Sequence, residues 1–288
     1  MHWCLQNNIY SEEGFEVLVS NLERLNISHS LHKVVPFVGE LDPDPDLPIG
    51  ANVIVMGSYS LARHAVKRGW KPGAFLDNLD FEVQREHWGD RMFNYDAKIY
   101  PFAQVPFQEQ PFFIRPAADS KAFTGYISDW ADYTKWRDGI IRLPETADPV
   151  NDPLGINLLT VDTPVMVCSK KEVYSETRTW IVNDSPGYKP EDRGLGMRLG
   201  HRVVTASGYK VGTIKRYTPP EMVDKRITDF AHECAQIWAP NDAFVLDVAD
   251  TPDGLKIMEV NNLNSAGFYK GDMQKLILAL ESMGTRRL

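Results

Sequence analysis

The segment FVLDVADTPDGLKIMEVNN, Phe244 to Asn262, is two apolar runs joined by Thr251-Pro252-Asp253-Gly254, and each run carries a carboxylate. Pro and Gly in a short polar link between two such runs signal a β-hairpin. Pro favours the first central position of a type I turn, and Gly accepts the left-handed conformation that closes a three-residue loop. The loop is therefore expected at Pro252-Asp253-Gly254, between Thr251 and Leu255. Counting outward from that pair sets Asp247 directly across from Glu259. Side chains in such a pair have Cβ atoms about 4.5–5.5 Å apart, and like charges there repel. A positive group is expected beside them, because a buried carboxylate without a partner is costly.

Asn261 lies two residues beyond Glu259 and shares its face, since strand side chains alternate. Two carboxylates and an amide oxygen form a hard-oxygen set. Magnesium suits it, taking one or two carboxylates and completing its shell with water and substrate phosphates. A solvated strand face whose acids keep the sheet soluble accounts for the same residues. The metal reading also depends on loop length, because a slip of one residue sends the two carboxylates to opposite faces.

The chain has 288 residues, long enough for two domains, and its 43% hydrophobic and 24% charged content is that of a soluble globular protein. A formal net charge of -8 argues against a general nucleic-acid surface. No apolar run approaches the roughly 18 residues of a membrane span, and the N-terminus MHWCLQNNIY lacks the pattern of a secretory signal. Cys4, Cys168 and Cys234 have no zinc-like spacing, so a reduced, cytoplasmic setting is expected.

The first third alternates strands and helices. HWCLQNN and ANVIVMG read as strands, and SEEGFEVLVSNLERLNI as a helix with Phe15, Leu18, Val19, Leu22 and Leu25 on one stripe. A second helix opens at GSYS, where Ser58 and Ser60 read as caps rather than phosphate ligands. This predicts a small α/β domain of the nucleotide-fold type, ending near residue 100. GELDPDPDLPIG is assigned no structure. Beyond the boundary come a strand FFIRP, a loop AADSKAFTG, a helix SDWADYTKWRDGI, a loop LPETADPVNDPLGIN, and the strands PVMVCS, EVYSETRTWIVN and HRVVTAS. Trp130, Tyr133 and Trp136 read as packing at helical spacing, whereas Tyr269 is a candidate for an acceptor pocket. Two helices flank the hairpin. One begins at Thr218 as cap and buries Cys234; the other begins at Asp272.

Cations stand at three further places. Arg115 sits on the otherwise apolar strand FFIRP, and Lys121 in the small-residue loop after it. A fixed fork and a flexible point charge on either side of such a loop suit a triphosphate; an Arg stem lying on apolar surface with its head in water suits Arg115 equally. Glu176 and Arg178 are two apart on one strand, hence on one face. They read either as an exposed ion pair of little energetic consequence or as a ribose or metal partner and an anion clamp. Arg202 and Lys210 add positive charge to that face if the strand register brings them there.

This order of pieces, a strand with a cation, a loop, a strand leading through a hinge into ExR and a closing D…ExN hairpin, resembles the ATP-grasp ligase family. The resemblance runs from about Phe112 to Tyr269. The elements FIRP…DSKAFTG, SETR and EVNNLNSAGFY are most similar to a clade of phages and bacteria marked by two arginines and a lysine. It implies an α/β (α+β) ATP-grasp fold, with residues 1–100 as an N-terminal Rossmann-like pre-ATP-grasp domain. Residues 101–288 would form the ATP-grasp domain, with a nucleotide-binding lid about 110–170 and a catalytic part about 171–288. By resemblance Asp247, Glu259 and Asn261 match magnesium ligands, and Arg115 stands where many members have a phosphate-binding lysine. The hinge Val167, Cys168, Ser169 to Lys171 matches the segment whose backbone holds adenine, and Glu176 falls where members contact ribose. ATP and Mg2+ are the implied cofactors. Arg115, Lys121 and Arg178 would serve catalysis, Lys210 would join the nucleotide site, and Arg202, Asn264, Ser265 and Tyr269 would meet substrate.

The implied reaction is ATP-dependent joining of a small-molecule or peptide carboxylate to an amine acceptor through an acyl phosphate, with no membrane partner. Two other readings share the residues: a small-molecule kinase on the same fold, and an ATP-binding module without turnover.

Overall fold

The computed structural model describes residues 1–9, 13–35, 40–76, 80–118, 122–142, 159–184 and 200–285. The expected loop at 143–157 lies outside them, as does Lys121. The chain packs as two compact units, one built from residues 1–78 and 173–288, the other from 79–172. This partition differs from the division near residue 100 expected from the sequence, because both ends of the chain contribute to one core.

In the first unit, β1 (His2–Gln6), β2 (His29–Val34), β3 (Leu41–Asp42), β4 (Asn52–Met56) and β5 (Lys71–Gly73) form a sheet in the order β3-β2-β1-β4-β5. β1 runs parallel to β2 and β4, β4 parallel to β5, and β3 antiparallel to β2. Helix α1 (Glu13–Arg24) crosses from β1 to β2, and α2 (Tyr59–Lys67) from β4 to β5. This is the expected Rossmann-like arrangement, with Phe15, Leu18 and Leu22 of α1 buried and Val19 and Leu25 packed beside them. Two expectations are corrected. Leu41 and Asp42 form a short edge strand where none was assigned, pairing with Val34 and Lys33. Ser58 occupies the N-cap position of α2 but its side chain makes no capping hydrogen bond; its backbone N–H instead donates to Gln6 Oε1 at 2.8 Å.

The same unit contains an antiparallel sheet in the order β12-β11-β10-β13-β14. Its strands are β10 (Ser175–Asn183), β11 (His201–Val211), β12 (Ile214–Thr218), β13 (Ala243–Thr251) and β14 (Gly254–Asn262). Helix α5 (Lys225–Ile237) starts later than Thr218, because the two prolines lead into a 3-10 turn, Pro220–Met222, and the working cap is Asp224, which accepts from the backbone N–H of Arg226 at 2.8 Å. Cys234 is fully buried, as expected of a core residue. Helix α6 (Met273–Thr285) closes the chain.

One hydrophobic core joins the two sheets of this unit: Trp3, Leu5, Ile54 and Met56 from the parallel sheet meet Trp180, Val182 and Val245 from the antiparallel one, with Leu276 and Leu280 of α6. Polar anchors fix the join. Asn264 Oδ1 accepts from the Phe75 N–H at 2.6 Å, Asn264 Nδ2 donates to the Val55 carbonyl, and the Asn264 carbonyl accepts from the Gly57 N–H at 2.7 Å. Trp3 Nε1 donates to Glu281 Oε1 at 2.6 Å.

The second unit holds a four-stranded antiparallel sheet, β6-β9-β7-β8, from β6 (Lys98–Pro101), β7 (Phe112–Pro116), β8 (Tyr126–Ser128) and β9 (Pro164–Ser169). Helix α3 (Phe81–Trp88) precedes it, and α4 (Trp130–Ile141) is capped by Asp129. Tyr133 is fully buried and Trp136 meets Phe102 edge-on at 4.4 Å between centroids, so these aromatics pack as their spacing predicts.

Among the described residues no helix is long and apolar enough to cross a membrane. The three cysteines are free and buried.

The Asn264→Ala substitution strands a buried carbonyl and a buried N–H. Each such loss costs about 1–3 kcal/mol. The urea midpoint should fall accordingly, with the slope of the transition unchanged.

Candidate functional site

Strand β10 reads SETRTWIVN, and alternation puts Glu176, Arg178, Trp180 and Val182 on one face. Trp180 and Val182 belong to the shared core. Glu176 and Arg178 continue that face past the core, where apolar residues give way to charged ones. Neighbouring strands bring their own charged residues alongside: Glu176 pairs in register with Lys210 of β11, and Arg178 with Asp247 of β13. Asp247 in turn pairs with Glu259 of β14.

The expected register of the hairpin is thus present, but it arises differently. Thr251 pairs with Gly254, so the loop is Pro252-Asp253, one residue shorter than expected. A bulge between Val248–Ile257 and Asp247–Glu259 inserts Met258 and restores the count. Gly254, at φ +89°, supplies the left-handed backbone from the first position of β14 instead of from the loop.

The positive charge expected beside the carboxylate pair comes from β10. Arg178 Nε donates to Asp247 Oδ1 at 2.9 Å and Arg178 Nη2 to Asp247 Oδ2 at 2.8 Å, a bidentate fork. Arg178 is 7% exposed and Asp247 1%, so this is a buried pair and not the exposed bridge that was one of its sequence readings. Arg178 Nη1 also donates to the Gly267 carbonyl at 3.3 Å. The Tyr269 ring covers the guanidinium at 4.6 Å, with Tyr209 at 5.8 Å. Burial alone would lower the Arg178 pKa, but the charge and hydrogen bonds of Asp247 override it and raise it above the usual value. Asn261 Nδ2 lies 3.4 Å from Asp247 Oδ2.

Glu176, 7% exposed, is engaged at both oxygens: Oε1 accepts from Lys210 Nζ and Oε2 from the Tyr209 hydroxyl at 2.6 Å. Burial, then the charges of Asp247 and Glu176, raise the Tyr209 pKa well above its ordinary value. Tyr209 was missed by sequence reasoning. Register pairs Glu176 with Lys210 and Thr177 with Gly208, so Tyr209 is the extra residue of a bulge. Gly208 inside a strand was the available signal. Tyr217, also missed, stacks on Tyr269 at 5.1 Å. Tyr269 adopts φ +46°, a conformation uncommon for a bulky residue.

The structure therefore gathers Glu176, Arg178, Lys210, Asp247, Glu259, Asn261 and Tyr269. Arg202 is not among them. It pairs with Val182 at the far end of β11, donating to Asp184 at 2.6 Å on the surface. Asn264 is committed to the sheet junction described above, and Ser265 is exposed in the turn Leu263–Ser265. In the second unit, Arg115 lies on β7 opposite Met166, with Nε 2.9 Å from the thioether sulfur. Val167, Cys168 and Ser169 end β9, and burial pushes the Cys168 thiol up to about 11. Lys171 is tied to the Phe93 carbonyl at 2.6 Å and to the Asp96 carboxylate. The segment ends where the second unit gives way to the first, between Glu172 and Val173.

Among the described residues no cluster of three His, Cys, Asp or Glu side chains has the geometry to hold a metal. A magnesium donor set here has to use Asn261 as well. Asp247, Glu259 and Asn261 are hard-oxygen donors of the kind magnesium takes, and a carboxylate has about four lone-pair positions. The Arg178 fork leaves Asp247 with acceptor capacity, so the residues fit such an ion.

A family model described as an ATP-grasp domain, family 3 of the clade named for two arginines and a lysine, matches residues 33–280. No curated protein matches the chain by sequence. Among solved structures, the chain is similar to a RimK domain protein ATP-grasp from Sphaerobacter thermophilus, at 11% identity and TM-score 0.52, covering 99% of this chain and 96% of that one. It is also similar to the D-alanine–D-alanine ligase from Bacillus anthracis complexed with ATP, at 11% identity and TM-score 0.55, covering 100% and 97%. These likenesses establish the fold.

Two outcomes follow from the buried network. Asp247→Asn leaves Arg178 buried without its counter-charge and should destabilise the metal-free protein by about 3–5 kcal/mol in denaturant titration. Tyr209 has an ordinary pKa of 10.0 that is raised on folding. The folded state keeps its phenol proton where the unfolded chain releases it, so stability is full below that pH and declines as pH rises above it. Tyr209→Phe should flatten part of this alkaline decline in unfolding free energy.

Proposed function

Because the chain belongs to the ATP-grasp family, in family 3 of its two-arginine, one-lysine clade, we propose that it is an ATP-dependent ligase joining a carboxylate to an amine, with magnesium and an acyl-phosphate intermediate. The observation that carries this reading is the convergence of Asp247, Glu259, Asn261 and Arg178 on one face of a sheet whose register holds them together. In such a reaction the substrate carboxylate takes the γ-phosphoryl group of ATP, releasing ADP, and the amine then displaces phosphate from the acyl carbon and gives up a proton.

Asp247, Glu259 and Asn261 would hold magnesium, whose contribution when bound is to neutralise charge on the phosphate oxygens. The remaining work is positioning and electrostatics by the chain itself. Arg178, fixed by Asp247 and capped by Tyr269, presents a charge that does not have to reorganise as the reaction proceeds. Lys210 and Glu176 border the same face, and Glu176 is proposed to accept from ribose hydroxyls, exchanging its bonds to Lys210 and Tyr209. Arg115 and Lys121 are assigned to phosphate, and the backbone from Val167 to Lys171 to adenine. Tyr269 is assigned to the acceptor side. The RimK domain protein and D-alanine–D-alanine ligase likenesses support a small-molecule or peptide carboxylate as substrate class.

Saturating Mg-ATP should raise the melting temperature, since a ligand at a hundredfold excess over its dissociation constant adds about 2.7 kcal/mol; no shift would count against the site. Arg115→Ala and Lys121→Ala should each weaken nucleotide binding by roughly 2–5 kcal/mol without unfolding the protein. Glu259→Gln should abolish ADP release. Mass spectrometry of metabolite or peptide extracts incubated with protein and ATP tests the reaction class: a ligase yields a product lighter than its two reactants by one water, a kinase a phosphorylated single acceptor, and a binding module neither.

A further inference from the structure

Asp247 has two uses on this face, as the acceptor of Arg178 and as a ligand in the proposed magnesium site, and the two constrain one another. Resting on the ligase reading, we infer that Arg178 stands in for the metal while nucleotide is absent, so that magnesium enters this site with the nucleotide and not as the free ion.

Both Asp247 oxygens are held by the guanidinium at 2.9 and 2.8 Å, in a place where Asp247 is 1% exposed. The guanidinium cannot leave easily, being tied also to the Gly267 carbonyl and covered by Tyr269 and Tyr209. Its carboxylate is therefore largely neutralised before any metal arrives. Counting the gathered side chains, Arg178 and Lys210 face Glu176, Asp247 and Glu259, a balance of one negative charge. A free divalent ion would turn that balance positive beside a fixed guanidinium, in surroundings that screen poorly. It would also have to shed waters that magnesium releases reluctantly. A triphosphate reverses the sum, because its own negative charges offset both cations. Arg178 thus acts as a positioning residue for Asp247 and as the element that sets the order of binding.

Melting temperatures in EDTA, in magnesium chloride and in Mg-ATP test this on the whole chain. The parent should respond to Mg-ATP and not to millimolar magnesium chloride alone. Arg178→Met, which keeps length but removes the charge and the fork, should melt lower in EDTA and be restored by magnesium chloride alone. Its half-effect concentration should be at least about tenfold below that of the parent. Adding Glu259→Gln to this variant should erase the response. Should Arg178→Met not fold, Arg178→Lys, with a single point contact to Asp247, should show an intermediate response to magnesium chloride. A parent already stabilised by magnesium chloride alone, or Arg178 variants indifferent to it, overturns the inference while leaving the ligase reading standing. A parent indifferent to Mg-ATP overturns both.

Discussion

Asp247 carries a carboxylate into the middle of a five-stranded sheet at 1% exposure, and it can do so because Arg178 on the neighbouring strand closes a two-bonded fork over it. Much of the site is arranged around that pair. The fork requires β10 and β13 to align at Arg178 and Asp247, and the same alignment sets Trp180 opposite Val245 in the hydrophobic core. On the other side of Asp247, the Met258 bulge has to bring Glu259 level with it. Above it, Tyr269 must take a left-handed backbone to lay its ring on the guanidinium. A pair of this kind adds little net stability compared with an apolar equivalent. Its effect is to make any other register leave a charge stranded.

The central strands and their order were legible because they are long and carry strong patterns. The hairpin shows where such reading succeeds by compensation: the loop was expected one residue too long, and Met258 as a bulge offset the error, so Asp247 and Glu259 met as predicted. Turn chemistry alone does not disclose a bulge a few residues from the loop. The short strands β3, β5 and β8, of two or three residues, were beyond reach because they are too brief for a period to register. The start of α5 was misplaced at Thr218, since Thr followed by prolines imitates a cap, while the side chain that satisfies the helix is Asp224.

The candidate site was legible as a set of residue types and less so as a set of contacts. Spacing put Glu176 with Arg178 and Glu259 with Asn261 on common faces, which the strands reproduce. It could not say that Arg178 faces Asp247, since that depends on the alignment of strands some seventy residues apart in sequence. Nor could it show that Asn264, in a run of asparagines near those ligands, turns the other way to hold the backbone at Val55 and Phe75. Arg202 failed for the same reason as Tyr209 was missed: pairing along β11, interrupted by two bulges, decides which residues reach the charged end.

The unit that contains this site is assembled from residues 1–78 and 173–288, with the second unit inserted between them in sequence. On a ribosome that order matters. Trp3, Leu5, Ile54 and Met56 are synthesised early, yet their packing partners Trp180, Val245, Leu276 and Leu280 are made late. At about 5–20 residues per second, a nascent chain holds half of its core uncovered for roughly 10–40 s. The inserted unit, whose aromatic core of Phe102, Phe112 and Tyr133 is contiguous in sequence, is free to fold in that interval. The parallel sheet is thus the part of the newborn chain most in need of shelter, and the arrival of α6 is the event that ends its exposure.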